Sequence, residues 1–462
     1  VGREIVVQLP TFHAGQLRAY QVFKDNKRVA GRCGRRWGKT DLGKILASDY
    51  AVKGRYVGWF APSYKVLVEA YSEIAASLLP VKLTSSKTEG IIRTIPTEGR
   101  SHGGRIDFWT LENENAGRSR KYHLVIIDEG AFTKANMMKI WEQSIEPTLL
   151  DYAELPYGGR CLVLSNTNGI DKDNFLYQIC EPLHKREMGT PGKKYGFAEF
   201  HAPTEENPYM SKGAIELLRQ RKHPLVFKQE YLAEFVDWSG VAFFQLQKML
   251  VDTVEVDGVL TGGTPVNYPT ACKFVVAVID TAVKTGSEND GTGVSYYAVM
   301  HDHFDQYRMV ILDWDIAQIT GALLAEWMPS VYRRLNELSK ACSAQFGSIG
   351  AYIEDRGSGS VLLQQCVLRG WDATPLPEEL TAKGKDERAM NAVDPVFRGE
   401  VKISYHAHDK TSTYKEETRN HFVDQIVSFR IGDPDAAKRA DDLLDTFTYS
   451  IAINLGGPEG TA

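Results

Sequence analysis

The 462-residue sequence contains no run of about eighteen apolar residues, so no membrane-spanning helix is expected. Its first residues lack the basic, apolar, small-residue order of a secretory signal. Six cysteines, at 33, 161, 180, 272, 342 and 366, form no C-x-x-C pair. That scatter predicts reduced thiols in a cytoplasmic setting and argues against a zinc site. Positive charge is not in excess either, since the net charge is −5. A nucleic-acid partner would therefore have to be drawn by local basic patches. What is present is a globular composition, 43% hydrophobic and 24% charged, on a chain too long for one ordinary core. Two domains are the expectation.

One further absence sits inside a motif. Gly34-Arg35-Arg36-Trp37-Gly38-Lys39-Thr40 follows a short apolar segment, Val29-Ala30, and leads into a helix-like run over 41–50. Strand, Gly-rich turn and helix make a phosphate cradle, because backbone N–H groups converge at a helix N-terminus. Lys39 would reach the β- and γ-phosphates, and the Thr40 hydroxyl would hold Mg²⁺. The first Gly of G-x-x-x-x-G-K-[ST] is missing, because Cys33 stands there. Upstream, Gln16 offers an amide that can read an adenine edge, or is an ordinary surface Gln.

The segment 55–61 reads as a strand stopped by Pro62, 63–79 as a helix, and 80–110 as short strands and turns. His123-Leu124-Val125-Ile126-Ile127-Asp128-Glu129 is continuously apolar until it ends in two carboxylates. Such a run implies burial on both faces, as in a parallel sheet. Asp128 would hold the metal and Glu129 would polarise the attacking water. A third apolar strand, 160–164, runs into Ser165-Asn166-Thr167-Asn168-Gly169. Ser165, Asn166 or Thr167 would sense the γ-phosphate there. Strands alternating with helices predict an α/β doubly wound sheet with its ligands at the strand carboxyl ends. Residues 211–235 read as helical, and 237–270 as a Gly/Pro-rich linker with one short helix near 243–251.

A second apolar strand, 274–279, ends in Asp280 and is followed by a Gly/Ser/Asn loop over 286–293. Two more strands, 294–299 and 309–315, complete an antiparallel meander. An amphipathic helix over 320–341 follows, then a strand from 350 ending in Glu354-Asp355. Near the end, Asp441-Asp442-Leu443-Leu444-Asp445 opens a helix, with Asp442 and Asp445 on one face. Carboxylates brought together repel unless cations neutralise them. Hard oxygen ligands suit Mg²⁺ or Mn²⁺, and two such ions are machinery for phosphodiester hydrolysis. Each cluster taken alone would more often be a cap than a ligand. Their joint occurrence points to a metal nuclease.

Together these signals resemble the large terminase subunit of tailed bacteriophages. The residues that carry the resemblance are the arginine-rich phosphate loop, Val125-Ile126-Ile127-Asp128-Glu129, the 165–169 loop, Gln229-Glu230-Tyr231-Leu232-Ala233-Glu234-Phe235 and the acidic set. An arginine-rich loop without the first Gly is usual in that family. The Ser-Asn-Thr-Asn-Gly loop departs mildly from its Thr-Pro-x-Gly form. The resemblance implies an N-terminal P-loop ATPase of the additional-strand type over 1–236, with 237–270 as linker. It implies an RNase-H-like nuclease over 271–462. ATP hydrolysis would translocate double-stranded DNA, and the nuclease would cut concatemers in the host cell cytoplasm. Implied partners are DNA, the portal protein, the small terminase subunit and further copies of the chain in a ring. Gly34, Arg35, Arg36, Gly38, Lys39, Thr40 and Asp128 would bind Mg·ATP, with Gln16 at the base. Arg35 matches an arginine acting on the γ-phosphate in cis; Arg118, with Arg120 as rival, resembles a finger reaching a neighbour. In the nuclease, Asp280 matches the first carboxylate and Asp355 the second, with Glu354 open. Asp445 with Asp442 matches the third, and Asp441 stands beside them. Lys383, Lys385 and Arg388 would lie along the DNA.

Overall fold

The computed structural model describes residues 5–96, 102–133, 136–169, 173–184, 186–238, 243–256, 259–281, 291–301, 307–319, 321–431 and 440–456. The chain divides into two compact units. One comprises Val1–Gln220 with Pro224–Asp237, the other Arg221–His223 with Trp238–Ala462.

The first unit is built on one eight-stranded sheet. Its strands are β1 (Arg28–Cys33), β2 (Tyr56–Ala61), β3 (Lys82–Ser86), β4 (Ile91–Pro96), β5 (Gly103–Thr110), β6 (Leu124–Asp128), β7 (Arg160–Ser165) and β8 (Ala198–Ala202). The spatial order is β3-β4-β5-β2-β6-β7-β1-β8. Strands β5, β2, β6, β7, β1 and β8 run parallel, while β3 and β4 add an antiparallel edge. Strand β7 lies between the phosphate-loop strand β1 and the acidic strand β6, which is the additional-strand arrangement. The helices α1 (Ala14–Asp25), α2 (Lys39–Val52) and α3 (Tyr64–Ser77) include the two expected after β1 and β2. Strand β6 shows why its sequence lacks alternation. Leu124 and Ile126 enter one core and Val125 and Ile127 the other, so both faces are covered.

The run over 211–235 is not one helix. Lys212–Arg221 and Pro224–Glu230 are separate helices, and residues 231–236 are non-helical. Pro224 has no N–H to continue the first helix and its ring disfavours a helical residue before it. Pro224 instead opens the second.

The second unit carries the meander β11 (Phe274–Asp280), β12 (Thr292–Val299) and β13 (Met309–Ala317), followed by β14 (Ser348–Ile353), β15 (Ala373–Pro375) and β16 (Val401–Ile403), after a separate hairpin described below. The order is β15-β14-β11-β12-β13-β16. β11, β12 and β13 are antiparallel, and β14 returns parallel to β11. This is the RNase-H-like arrangement. One face packs under the helix Gly321–Ala341, with Val275, Ala277, Ile279, Ala351 and Ile353 in its core. The other carries the helix Asp442–Leu455, tied down where Ser295 donates to Thr446 Oγ1 at 2.7 Å. Residues 286–290 of the predicted loop and Thr320 lie outside the described residues.

The stretch 237–270 is more than a linker. It contains a short 3-10 helix, Leu246–Met249, and an antiparallel hairpin of β9 (Val251–Val256) and β10 (Val259–Thr264). The alternating Val251, Thr253 and Glu255 against Asp252, Val254 and Val256 carry β-propensity, which the neighbouring Gly and Pro residues mask. Strand β16, three residues long, has no periodic signal of its own.

Candidate functional site

The phosphate loop leaves β1 at Cys33 and enters α2 at Lys39, with Gly38 as the N-cap at φ +98. No side chain caps that helix end. Glycine adopts the left-handed turn at Gly38 without the steric strain a Cβ would bring. Gly34 is needed for a different reason. A Cβ there would stand 2.3 Å from the Tyr231 carbonyl oxygen and 2.7 Å from the Thr204 nitrogen. The loop backbone is clamped from outside: Gly34 N–H donates to Ala202, Arg35 N–H to Glu230, Thr204 Oγ1 to the Arg35 carbonyl and Asn207 to the Arg36 carbonyl. Arg36 itself sits at φ +63.

Gln16 is buried under this loop rather than free at its rim. Its amide nitrogen donates to the Gly38 carbonyl at 2.9 Å, and its oxygen accepts from His13 N–H at 3.1 Å. The amide nitrogen thus holds the phosphate loop, while the oxygen closes the capping box of α1.

Strand β6 brings the two carboxylates under Lys39. Thr40 Oγ1 lies 3.3 Å from Asp128, and Lys39 Nζ lies 2.8 Å from Glu129 Oε1. Consecutive strand residues point to opposite faces. Glu129 escapes that rule by adopting a left-handed conformation, φ 55 and ψ 37, with its N–H donating to Leu164. Strain of this kind in a non-glycine residue persists where surrounding structure enforces it. Burial, then the charge of Glu129, pushes the Asp128 carboxyl up to about 7. A carboxylate so placed gains from a cation beside Thr40. The donor set fits Mg²⁺ held by Thr40 and Asp128.

The 165–169 loop is divided between two tasks. Lys39 Nζ donates to Asn166 Oδ1 at 2.8 Å and Ser165 Oγ donates to Glu129 at 3.3 Å. Thr167 instead turns to the carbonyls of Gln229 and Glu234. Asn166 Nδ2 donates to the Glu230 carbonyl at 3.1 Å, and Arg35 Nε donates to the Glu230 carboxylate. Sequence reasoning placed 229–235 as a family marker without a role. In the fold it joins Arg35 to the sensing loop, and Glu230 is the residue that reasoning missed. Only its position in the family motif pointed to it.

Arg118 and Arg120 are not brought to the phosphate loop of their own chain. Both line a separate cavity of about 740 Å³ with Ser144, Thr148 and Asp151. Arg118 Nε donates to Ser144 Oγ at 3.1 Å. Arg120 lies 3.8 Å from the buried Asp107 and over the Trp109 ring.

In the second unit, β-strand alternation selects among the carboxylates. Val275, Ala277 and Ile279 face the helix Gly321–Ala341, so Asp280 faces the Asp442–Leu455 helix. Ala351 and Ile353 likewise put Glu354, not Asp355, on the side of Asp280. Asp355 is exposed and accepts from Ser360 Oγ at 2.6 Å. Burial, then Asp445, Asp442 and Glu354, push the Asp280 carboxyl well above its ordinary range. Asp442 and Asp445 are both buried, and Asp442 accepts from Gly291 N–H at 3.2 Å. The sequence reading matched Asp280 with Asp355, Glu354 being left open, and with Asp445 and Asp442; the geometry brings Asp442 and Asp445 around Asp280 and takes Glu354 over Asp355.

The donors are all hard oxygens, which fits Mg²⁺ or Mn²⁺. Among the described residues, however, no group of three or more His, Cys, Asp or Glu side chains stands close enough to hold an ion. Two of the carboxylates are drawn elsewhere. Asp445 pairs with Arg388 at 2.6 Å, and Asp441 pairs with Lys385. These two cations, expected along DNA, are thus turned onto the acidic centre. Lys383 lies 3.7 Å from Glu387.

These features define a class: an additional-strand P-loop unit and an RNase-H-like unit in one chain. That is the fold of the phage large terminases. The large terminase from a thermophilic bacteriophage matches with a TM-score of 0.62 at 12% identity, covering 97% of this chain and 100% of that one. The same phage protein in complex with ATP-gamma-S matches with a TM-score of 0.57 at 10% identity, over 97% and 100% of the two chains. No family model and no curated protein matches the sequence. All six cysteines are buried and free, and no described helix is long and apolar enough to cross a membrane.

Proposed function

We propose that the chain is a DNA-packaging motor subunit: an ATPase that translocates double-stranded DNA and a nuclease that cuts it. The observation that carries this reading is Lys39, held between Glu129 and Asn166 with Thr40 against Asp128. That arrangement prepares a cation for phosphate, a hydroxyl and carboxylate for a metal, and a base beside them.

In this mechanism Lys39 leaves Glu129 to bind the β- and γ-phosphates. Glu129, released, orients a water and accepts its proton. Thr40 and Asp128 would hold Mg²⁺, which would supply neutralisation of the phosphate charge. Arg35 exchanges the Glu230 carboxylate for the γ-phosphate and stabilises the charge that spreads in the transition state. Asn166 and Glu230 then pass the change to residues 229–235. Arg118 of a second copy completes the site in a ring, with Arg120 as the close rival.

In the nuclease unit Asp280, Glu354, Asp442 and Asp445 would be the residues to hold two divalent ions, which would supply activation of water and charge stabilisation of the leaving oxygen. Portal protein and small terminase subunit are the partners on the procapsid, in the host cytoplasm. The test is packaging itself. Mixed with cognate procapsids, ATP and linear DNA, the chain is expected to yield DNase-protected DNA. A Lys39→Ala chain that protects as much DNA would overturn the reading.

A further inference from the structure

Arg388 occupies the acidic centre of the second unit. It lies in the helix Lys385–Phe397, three residues from Lys385 and so on the same face. Its Nη2 donates to Asp445 Oδ1 at 2.6 Å and its Nη1 to the Lys383 carbonyl at 2.9 Å. The guanidinium stands 4.6 Å from the centre of the Tyr449 ring. Both members of the pair are nearly buried, with side chains 11% and 12% exposed. Arg388 Nε is buried without a hydrogen-bond partner among the described residues. The same arginine is close enough to act electrostatically on Asp280 and Glu354.

A guanidinium keeps its charge at any working pH and is a planar fork of donors; here one nitrogen reaches Asp445 and another the Lys383 carbonyl. Arg388 therefore meets the need that a divalent ion would meet, at the same oxygens. A group that holds a ligand in the metal-free protein subtracts from metal affinity, because the ion must first displace it. We propose that Arg388 is a stand-in cation of the nuclease centre, holding Asp445 in the metal-free protein and competing with divalent ions for it. The apparent Kd for the metal is then raised according to the fraction of molecules in which Arg388 holds Asp445. Lys385 on Asp441 adds a second holding contact from the same helix. This inference rests on the nuclease reading above.

The test is Mn²⁺ binding by the full chain, followed by calorimetry and by thermal melting, without DNA. Coupling between two groups that bind one protein typically changes affinity by about 5–150-fold. With its competitor removed, Arg388→Met is expected to bind Mn²⁺ about tenfold more tightly than the wild type. Its melting temperature without metal falls, and its rise with metal grows. Arg388→Lys, which keeps a charge but not the fork, shifts in the same direction by less, and it carries the test if the Met variant does not fold. Equal or weaker Mn²⁺ binding in the folded variant would show that Arg388 supports the ligands rather than competing, and would overturn the proposal alone. A wild type without Mn²⁺ response would overturn the nuclease reading beneath it.

Discussion

Glu129 is the residue on which the proposed ATPase mechanism turns. Its left-handed backbone keeps its carboxylate beside that of Asp128, both under the phosphate loop. Glu129→Gln preserves shape and loses the base, so phosphate release is expected to fall about 10²–10⁴-fold. The ATP-induced rise in melting temperature should remain. Wild-type phosphate release from this variant would remove Glu129 from catalysis. A second residue carries a pH signature. Burial pushes the His223 imidazole down from 6.5 to about 4, and its ring packs against Trp238 and Phe243. The unfolded chain takes up the proton near 6.5, while the folded chain does not until about 4. Stability is thus whole above pH 6.5 and is lost as pH falls toward 4, by about 3 kcal/mol. His223→Gln should flatten that slope in denaturant titrations of the full chain. An unchanged slope would place the acid sensitivity elsewhere.

At the scale of elements, the phosphate loop is clamped by residues 229–234, and in the proposed mechanism this contact carries the response to nucleotide. Gly34 permits the approach, because an added Cβ would meet the Tyr231 and Thr204 backbones. Gly34→Ala is expected to destabilise the chain by about 1–3 kcal/mol. It should also weaken ATP binding, read as a smaller melting shift. Stability unchanged in urea unfolding would contradict the close approach. This contact also marks the boundary of what sequence reveals. The strands β1, β6, β7 and β11 were legible, because each is an apolar run ending in polar chemistry. Lys39, Thr40, Asp128 and Glu129 were legible because they lie within short motifs. Glu230 against Arg35 was not, since 195 residues separate them and no local pattern records a tertiary pairing. The choice of Glu354 over Asp355 needed the face that Ala351 and Ile353 bury. The β9–β10 hairpin was hidden by the Gly and Pro residues around it. The Gln16 amide was legible as polar, but its burial under Gly38 was not.

For the whole molecule, two units with separate cores carry two candidate sites of different chemistry. A ligand that binds only the folded state stabilises its own unit by RT ln(1 + [L]/Kd), about 2.7 kcal/mol at a hundredfold excess over Kd. Mg·ATP is expected to raise the melting of the first unit and Mn²⁺ that of the second, with Lys39→Ala removing one shift and Asp280→Asn the other.

The most direct measurement follows both activities in one tube. The full chain is incubated with linear double-stranded DNA, Mg·ATP and Mn²⁺, and phosphate release and new DNA ends are counted together. The account predicts that Lys39→Ala loses phosphate release and keeps cutting DNA, while Asp280→Asn keeps releasing phosphate and stops cutting. A wild-type chain with neither activity, or a DNA-cutting rate untouched by Asp280→Asn, would contradict it.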